Sequence, residues 1–233
     1  MNKLISCLLL FYAATFAHAQ QTDSKQILRD VNLTFQKVKD YAADVKIKTD
    51  IPFINILPVN AKVFFKQPDK FHIQSKGIAI LPKQGPENMM ASLRDTLAFT
   101  SVFLMNDNLN GVPVAIVNIL PVSDTSDIVV GKFWIDTQRH VVMRSQITSK
   151  TNGTVNAEYV YGSNAAYALP DVVTFTIDTK KFKMPKAVAA DLNNYAKEKT
   201  EKQKESKGKI VLTFSGYVIN RGIDDAVFKK SGK

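Results

Sequence analysis

The strongest constraint on the fold of this chain is a two-residue alternation that recurs in one segment after another. In residues 43–49, uncharged side chains at odd positions alternate with charged side chains at even positions. Because successive side chains of a β-strand point to opposite faces of a sheet, this pattern predicts a strand with one buried face. Further strands are predicted at residues 60–67, 70–75, 112–122, 128–136, 141–150, 155–161, 172–177 and 210–220, with a turn at 106–111. Such a series, mostly joined by short turns, predicts a mainly β fold with one antiparallel sheet that is strongly curled or barrel-like.

A helical period precedes the first predicted strand. In residues 24–40, Ile27, Val31, Phe35 and Val38 recur at spacings of four, four and three. This spacing predicts an amphipathic helix with a single apolar face.

Two later segments are also predicted to be helical. The first follows a Gly-Pro pair, carries Met90, Leu93 and Leu97 on one side, and continues into the apolar residues 99–105. The second is a Lys-rich insertion at about residues 185–209, between two predicted strands. Because an open sheet would leave its apolar face in contact with water, we expect the helices to cover that face.

The first 19 residues have the composition of a cleavable export signal. Lys3 precedes an apolar run of 13 residues at 4–16, which is too short to span a bilayer, and Ala17-His18-Ala19 fits a signal peptidase site. A lipobox ending at Cys7 is the alternative, but too few residues precede it to form an apolar region. The predicted organisation is therefore a signal at 1–19 and a single domain at 20–233 that is exported from the cytoplasm.

The formal net charge of the chain is +10. In an exported protein this charge fits anionic lipid or an acidic partner better than nucleic acid, although a merely soluble basic surface explains it equally well. The Lys-rich residues 185–209 could likewise bind anionic lipid or an acidic partner, or form a solvent-exposed helix. In the second case, pairs such as Lys197 with Glu201 would stabilise the helix.

The sequence contains no recognisable catalytic constellation. There is no Gly-x-Ser-x-Gly elbow and no Gly-rich phosphate loop, and His72 and His140 lack the spacing of metal ligands. The lone cysteine, Cys7, would leave with the signal. We therefore predict a protein that is not an enzyme and has no metal, cofactor or disulfide. Trp134-Ile135-Asp136 is the most distinctive tripeptide, and by itself it fits a strand that ends at a turn-initiating Asp.

An ordered set of segments resembles a known superfamily. After the helix ending in VKDY come VFFKQPDKF, GKFWIDTQRHVVMR, LPDVVTF and YVINRGIDDAVF. Together, across residues 24–228, they resemble the LolA-like periplasmic lipoprotein carriers, in particular the Bacteroidetes-type members. The resemblance implies a half-open, strongly curved antiparallel β-barrel whose helices form a lid over an apolar cavity for lipoprotein acyl chains or other lipids.

The resemblance and the alternation together name candidate residues. In the family, an arginine before the proline of a KRP-like turn helps to latch the lid; here Gln67 takes that place, after Lys66, which leaves such a latch in doubt. Each apolar candidate also has the alternative of being simply core. The predicted ligand-binding residues are Val63, Phe65, Phe71, Ile73, Met90, Leu93, Leu97, Phe99, Phe103, Met105, Val114, Ile116 and Trp134.

The leading functional prediction is a monomeric periplasmic carrier that receives lipidated ligands from an inner-membrane donor and passes them toward an outer-membrane acceptor. A regulatory sensor of lipids or envelope stress with the same fold is the first alternative. An enzyme acting on an envelope lipid or polysaccharide is the second, and the absence of a nucleophile or metal motif makes it the weakest.

Overall fold

The computed structural model describes residues 23–51, 57–75, 97–151, 153–178 and 207–229. The predicted signal at 1–19, the predicted ligand-binding residues Met90 and Leu93, and residues 185–206 of the predicted helical insertion lie outside these ranges. Residues 207–209 of that insertion belong to the last strand instead of a helix.

Within the described residues, one α-helix precedes ten β-strands. Helix α1 spans Ser24–Gln36, and the side chain of Asp23 caps it by accepting a hydrogen bond from the backbone N–H of Lys25. Two short 3-10 helices span Ala165–Tyr167 and Asp225–Phe228. The strands are β1 (Asp40–Asp50), β2 (Val59–Lys66), β3 (Lys70–Ser75), β4 (Phe99–Leu109), β5 (Val112–Pro121), β6 (Ile128–Asp136), β7 (Val141–Ser149), β8 (Gly153–Val160), β9 (Val172–Asp178) and β10 (Lys207–Ile219).

All ten strands form one antiparallel sheet in the order β3-β2-β1-β10-β9-β8-β7-β6-β5-β4. Strands β3 and β4 are its two edges, so the sheet is not closed. The predicted mainly β, half-open architecture is confirmed, as are the helix at the N-terminal side and the strands that the alternation indicated.

The apolar residues 99–105 were wrongly predicted as a continuation of a helix. They belong to β4, which pairs with β5 along its whole length and continues to Leu109. An apolar run without clear alternation cannot distinguish a strand from a helix, and here the partner strand decides. The turn was predicted at 106–111, but in the structure it consists only of Asn110 and Gly111, which both have positive φ angles.

The register of the strands divides the sheet into two faces. Ile47, Leu212, Val173 and Tyr159 are successive partners across four strands and are all buried; we call their side the inner face. The neighbouring row, Lys48, Val211, Thr174 and Glu158, lies on the outer face and is mostly polar. The inner face and the apolar side of α1 belong to a single hydrophobic core.

Helix α1 reveals how strongly the sheet curls. Near the start of the helix, Ser24 Oγ lies 3.0 Å from Ser101 Oγ on the edge strand β4. Near its end, the ring of Phe35 packs 5.4 Å from that of Phe65 on β2, next to the other edge. Strands β2 and β4 would be about 38 Å apart in a flat sheet, because eight steps of about 4.8 Å separate them. A helical span of about 17 Å can bridge them only if the sheet folds around the helix.

Candidate functional site

Six of the predicted ligand-binding residues lie on the inner face. On the β2–β3 hairpin, Val63 is the partner of Ile73 and Phe65 is the partner of Phe71. On β4, Phe99 belongs to the core and Phe103 is the partner of the fully buried Val117. These residues flank α1 from the two ends of the sheet, so the curl of the sheet brings two distant parts of the sequence together.

Four other predicted ligand-binding residues lie on the outer face, on the opposite side of the sheet from these six. Met105, Ile116 and Trp134 are successive partners, and Trp134 is also the partner of Arg144, which pairs with Glu158 of the outer row. Val114 is two residues from Ile116 and shares its face. A bulge between Phe103 and Met105 puts these two residues on opposite faces, and both faces of β5 are buried, so alternation could not identify the inner one.

The remaining described candidate, Leu97, lies in a turn before β4, and its side chain is 88% exposed. The helix in which it was predicted is therefore absent at this position, and Leu97 is not part of the packed inner face. Its predicted role in ligand binding stays a prediction.

Cations flank Trp134 on the outer face. Lys132 Nζ lies 4.9 Å from the centre of its ring and Arg144 Cζ lies 5.6 Å from it, which are cation–π distances. Arg144 also donates two hydrogen bonds to Glu158 Oε1, at 3.1 and 2.8 Å. The side chains of Lys132 and Arg144 therefore cover part of the Trp134 ring, so a bound ligand is not needed to explain its half-buried state.

Asp136 completes the same tripeptide and acts as a structural turn residue, as predicted. Its Oδ1 accepts hydrogen bonds from the backbone N–H groups of Gln138 and Arg139, and its Oδ2 accepts one from Arg139 Nε. Burial by itself would raise the pKa of Asp136, but these donors and the guanidinium charge outweigh it and lower the pKa.

Aromatic rings fill one end of the inner face. Phe35, Phe65, Tyr41, Tyr217 and Phe214 form a continuous chain with centroid separations of 5.4 to 6.0 Å, which we call the aromatic end. Tyr217 Oη donates a 2.7 Å hydrogen bond to the carbonyl of Pro170, and burial raises the pKa of Tyr217 well above its usual range. The hydroxyl is therefore paired and stays protonated, so the aromatic end is packed by uncharged rings.

Gln67, one of the two predicted latch residues, contacts the end of α1 directly. Its Nε2 donates hydrogen bonds to the carbonyls of Val38, at 2.6 Å, and Gln36, at 3.3 Å. Its backbone N–H donates to the carbonyl of Lys39 at 2.8 Å. These carbonyls include helix-terminal acceptors that have no partner within the helix, so the β2–β3 turn caps α1.

Lys66, the second latch candidate, points to a different partner. Its Nζ donates to the carbonyl of Ile223 at 2.9 Å and to Asp225 Oδ1 at 2.7 Å, while Lys70 Nζ lies 2.9 Å from Asp225 Oδ2. Hydrogen bonds from these two lysines are the main cause that lowers the pKa of Asp225 to about 2. Lys66 therefore ties the hairpin to the C-terminal segment and not to the helix.

Asn220 and Asp40 hold the same end of α1, and the sequence analysis missed both. Asn220 Nδ2 donates to the carbonyl of Lys37 at 2.8 Å, and its Oδ1 accepts from the N–H of Lys39 at 2.7 Å. Asp40 Oδ1 accepts from the N–H groups of Arg221 and Gly222. The Asn-Arg-Gly sequence after β10 signals a turn, and Asn220 has a φ of 56°, but nothing local links it to residues about 180 positions earlier.

Two polar pairs interrupt the apolar inner face. Ser24 Oγ at the start of α1 donates to the carbonyl of Ser101 at 3.2 Å, in addition to its contact with Ser101 Oγ. Ser145 Oγ lies 3.3 Å from Tyr159 Oη, and both side chains are buried. The first pair attaches the helix to the sheet edge, whereas the second lies within the wall.

Neither a metal-ligand cluster nor a membrane-spanning helix occurs in the described ranges. These ranges contain no group of three or more His, Cys, Asp or Glu residues that could hold a metal ion. They also contain no helix with the length and apolar character needed to cross a bilayer.

No protein-family model matches the chain, and no curated protein matches it. Its structure is similar to that of a LolA superfamily protein from Nitrosomonas europaea, with a TM-score of 0.58 and 11% identity over 89% of this chain and 97% of the other. It is also similar to the structure of a putative outer membrane lipoprotein-sorting protein domain from Vibrio parahaemolyticus. The TM-score is 0.59, and the identity is 11% over 89% of this chain and 96% of the other. A DUF1329 family protein from Desulfovibrio piger has a similar structure, with a TM-score of 0.56 and 9% identity over 90% of this chain and 99% of the other. At such low identity the similarity concerns the fold, and the chain has a LolA-like fold.

Proposed function

We propose that this protein is a periplasmic carrier that binds lipoprotein acyl chains or other lipid-like ligands between helix α1 and the inner face of the sheet. One observation carries the proposal: within the described residues, a ten-stranded sheet curls around a single short helix and presents to it an inner face that is mostly apolar. A sheet that is not closed can widen without breaking strand pairs, which a ligand pocket for long chains requires.

The chemistry of the inner face suits an acyl chain. Burial of each methylene contributes about 0.8 kcal/mol, so a long chain needs an extended apolar surface and few polar groups. The proposed wall combines the hairpin and edge-strand residues that face α1 from both sides. Its members are Val63, Phe65, Phe71, Ile73, Phe99 and Phe103.

The remaining parts of the proposal come from the sequence. The segment 1–19 has the pattern of a cleavable signal, which would place a single domain of residues 20–233 between two membranes as a carrier from an inner-membrane donor to an outer-membrane acceptor. A binding role without catalysis, metal or cofactor accords with the lack of a catalytic motif. In the same proposal, Gln67 latches the C-terminal end of α1 to the sheet through the carbonyls of Gln36 and Val38.

Lipid analysis of the purified protein tests this function. The full chain would be expressed with its signal, purified from the periplasm without detergent, extracted with solvent and analysed by mass spectrometry. We expect stoichiometric acyl-chain lipid. Protein that is folded, carries no lipid, and does not bind a fluorescent fatty acid such as cis-parinaric acid would overturn the proposal.

Two variants on the same strand sharpen the test. Phe103→Gln places a polar amide on the inner face, whereas Val102→Gln places it on the outer face, where Val102 is already exposed. We expect the first variant to lose most of its bound lipid and the second to retain it, with both variants folded by circular dichroism. Equal lipid content in the two folded variants would contradict the proposed wall.

A further inference from the structure

The two ends of helix α1 are attached to the sheet in very different ways. Residues 36–40, which we call the fastened end, are bonded from the two strands that flank β1. Gln67, directly after β2, holds the carbonyls of Gln36, Val38 and Lys39, and Asn220, directly after β10, holds Lys37 and Lys39. The backbone N–H of Asn220 also donates to the carbonyl of Asp40 at 2.9 Å. This end is therefore fixed to the turn after β2 and to the end of β10.

In the first turn of the helix, the described hydrogen bonds to the sheet are fewer, and the apolar Ile27 is only partly buried against the core. Ser24 is the buried residue of the first turn, and it bonds only to Ser101 on β4. Exposed polar residues, Lys25 and Gln26, follow it. Water can replace a hydroxyl–hydroxyl contact, so loss of the Ser24–Ser101 contact costs little, and the main resistance to movement of this end is the burial of Leu28.

Apolar burial is continuous from Leu28 onward, and only the first turn lacks a fully buried apolar side chain. Leu28 and Val31 are fully buried, Phe35 packs against Phe65 in the aromatic end, and Val38 is buried just beyond the helix. The C-terminal half of α1 is thus held by packing and hydrogen bonds together, whereas Leu28 is the first large buried side chain from the N-terminal side.

The weakly held end of α1 also lies at the free edge of the sheet. Ser101 belongs to β4, which is one of the two edge strands, so among the residues that the structure describes no further strand lies beyond the Ser24–Ser101 contact. A tilt of about 20° about the fastened end would move the first turn of a 13-residue helix by about 6 Å. Such a movement would expose the inner face next to Phe99 and Phe103 without breaking any strand pair.

We propose that α1 opens at its N-terminal end, so that an acyl chain enters the barrel between Ser24 and Ser101 while residues 36–40 serve as a fixed hinge. This inference rests on the proposed function for the identity of the ligand, but the direction of opening is independent of it. The aromatic end lies beside the hinge, so the ligand enters from the opposite end and its chain terminus advances toward the aromatic rings.

A reversible disulfide lock tests the entry route. In a Cys7→Ser background, which removes the only cysteine of the chain, Ser24→Cys and Ser101→Cys would place two thiols where the hydroxyls are 3.0 Å apart. We expect oxidation to slow the uptake of cis-parinaric acid at least tenfold, and reduction with dithiothreitol to restore it. Equal uptake rates in the oxidised and reduced states would overturn the proposed entry route.

A second lock is a matched control. Thr148 Oγ1 and Thr154 Oγ1 are also 3.0 Å apart, but they lie on neighbouring strands away from α1. The oxidised Thr148→Cys, Thr154→Cys protein should take up the probe at the wild-type rate. If both locks slow uptake equally, the effect is a general stiffening of the sheet and the entry route is wrong.

Hydrogen exchange monitored by mass spectrometry follows the opening without a ligand. Loss of both serine hydroxyls, in Ser24→Ala with Ser101→Ala, should accelerate exchange in peptides from the first half of α1 about fivefold and leave residues 36–40 unchanged. Acceleration at the fastened end, or equal acceleration along the helix, would overturn the hinge. If the wild type takes up no probe but shows this gradient, the carrier function fails and the hinge stands.

Discussion

The side-chain amide of Gln67 lies against the end of helix α1, with Nε2 2.6 Å from the carbonyl oxygen of Val38. This contact joins a turn of the sheet edge to the helix that covers the inner face. A glutamine in this place can cap the helix with a neutral amide, so a charged arginine is unnecessary for such a contact.

Replacement of Gln67 should weaken the attachment of the helix. Gln67→Ala leaves the carbonyls of Val38 and Gln36 without their side-chain donor, so we expect the free energy of unfolding to fall by about 1 to 2 kcal/mol. Urea denaturation measures this change. Gln74→Ala, at an exposed position of the same hairpin, should change stability by less than about 0.5 kcal/mol. Equal effects of the two substitutions would exclude a capping role.

Two substitutions of Asn220 separate its side-chain bonds from its backbone conformation. Both Asn220→Gly and Asn220→Ala remove the bonds to Lys37 and Lys39, but only alanine is strained at a φ of 56°. We therefore expect both variants to be destabilised, and the alanine variant to be less stable than the glycine variant by about 1 kcal/mol. A glycine variant as stable as the wild type would show that the side-chain bonds contribute nothing.

The ion pairs of Asp225 with Lys66 and Lys70 should depend on pH in the acid range. Its pKa is lowered to about 2 by Lys66 and Lys70, so its ion pairs are fully formed above the ordinary carboxyl pKa and are lost as the pH falls through about 2. Carbon-detected NMR titration of the Asp225 carboxyl measures this pKa. In a Lys66→Met, Lys70→Met variant the pKa should rise toward the usual value of about 4. A midpoint unchanged by the double substitution would contradict the assigned cause.

Trp134 provides a spectroscopic test of the two faces. It is the only tryptophan of the chain and lies on the outer face between Lys132 and Arg144. Addition of a non-absorbing fatty acid such as palmitate should therefore leave its emission maximum unchanged. Phe103→Trp in a Trp134→Phe background should report the same ligand with a shift to shorter wavelength. A blue shift of Trp134 itself would place it in the ligand site.

Substitutions on the inner face should lower the free energy of unfolding more than substitutions at exposed positions. Phe175 is fully buried on β9, whereas Val160 at the end of β8 is 59% exposed. Phe175→Ala should cost about 3 to 5 kcal/mol because it removes packing and leaves a cavity. Val160→Ala should change the free energy of unfolding by less than about 0.5 kcal/mol. Thermal denaturation of both variants distinguishes these outcomes.

Where one face of a segment is polar, the sequence was sufficient to predict both the strand and its orientation. Residues 43–49 alternate so clearly that Val45 and Ile47 could only be buried while Lys46 and Lys48 were exposed, and β1 follows this pattern. The β2–β3 hairpin was similarly predictable from its turn, and the helix at 24–36 from its apolar spacing. These signals are local, because a side-chain period depends only on the backbone geometry of the element itself.

Only the tertiary structure decided the rest, because the deciding contacts join residues that are distant in the chain. Residues 99–105 form a strand because they pair with β5. The strand register places Ile116 and Trp134 on the outer face, a choice that the sequence left open. The attachment of α1 depends on Gln67 and Asn220, about 30 and 180 residues away. The sequence by itself therefore determined the elements and their period, whereas the curl of the sheet determined which apolar faces meet around the helix.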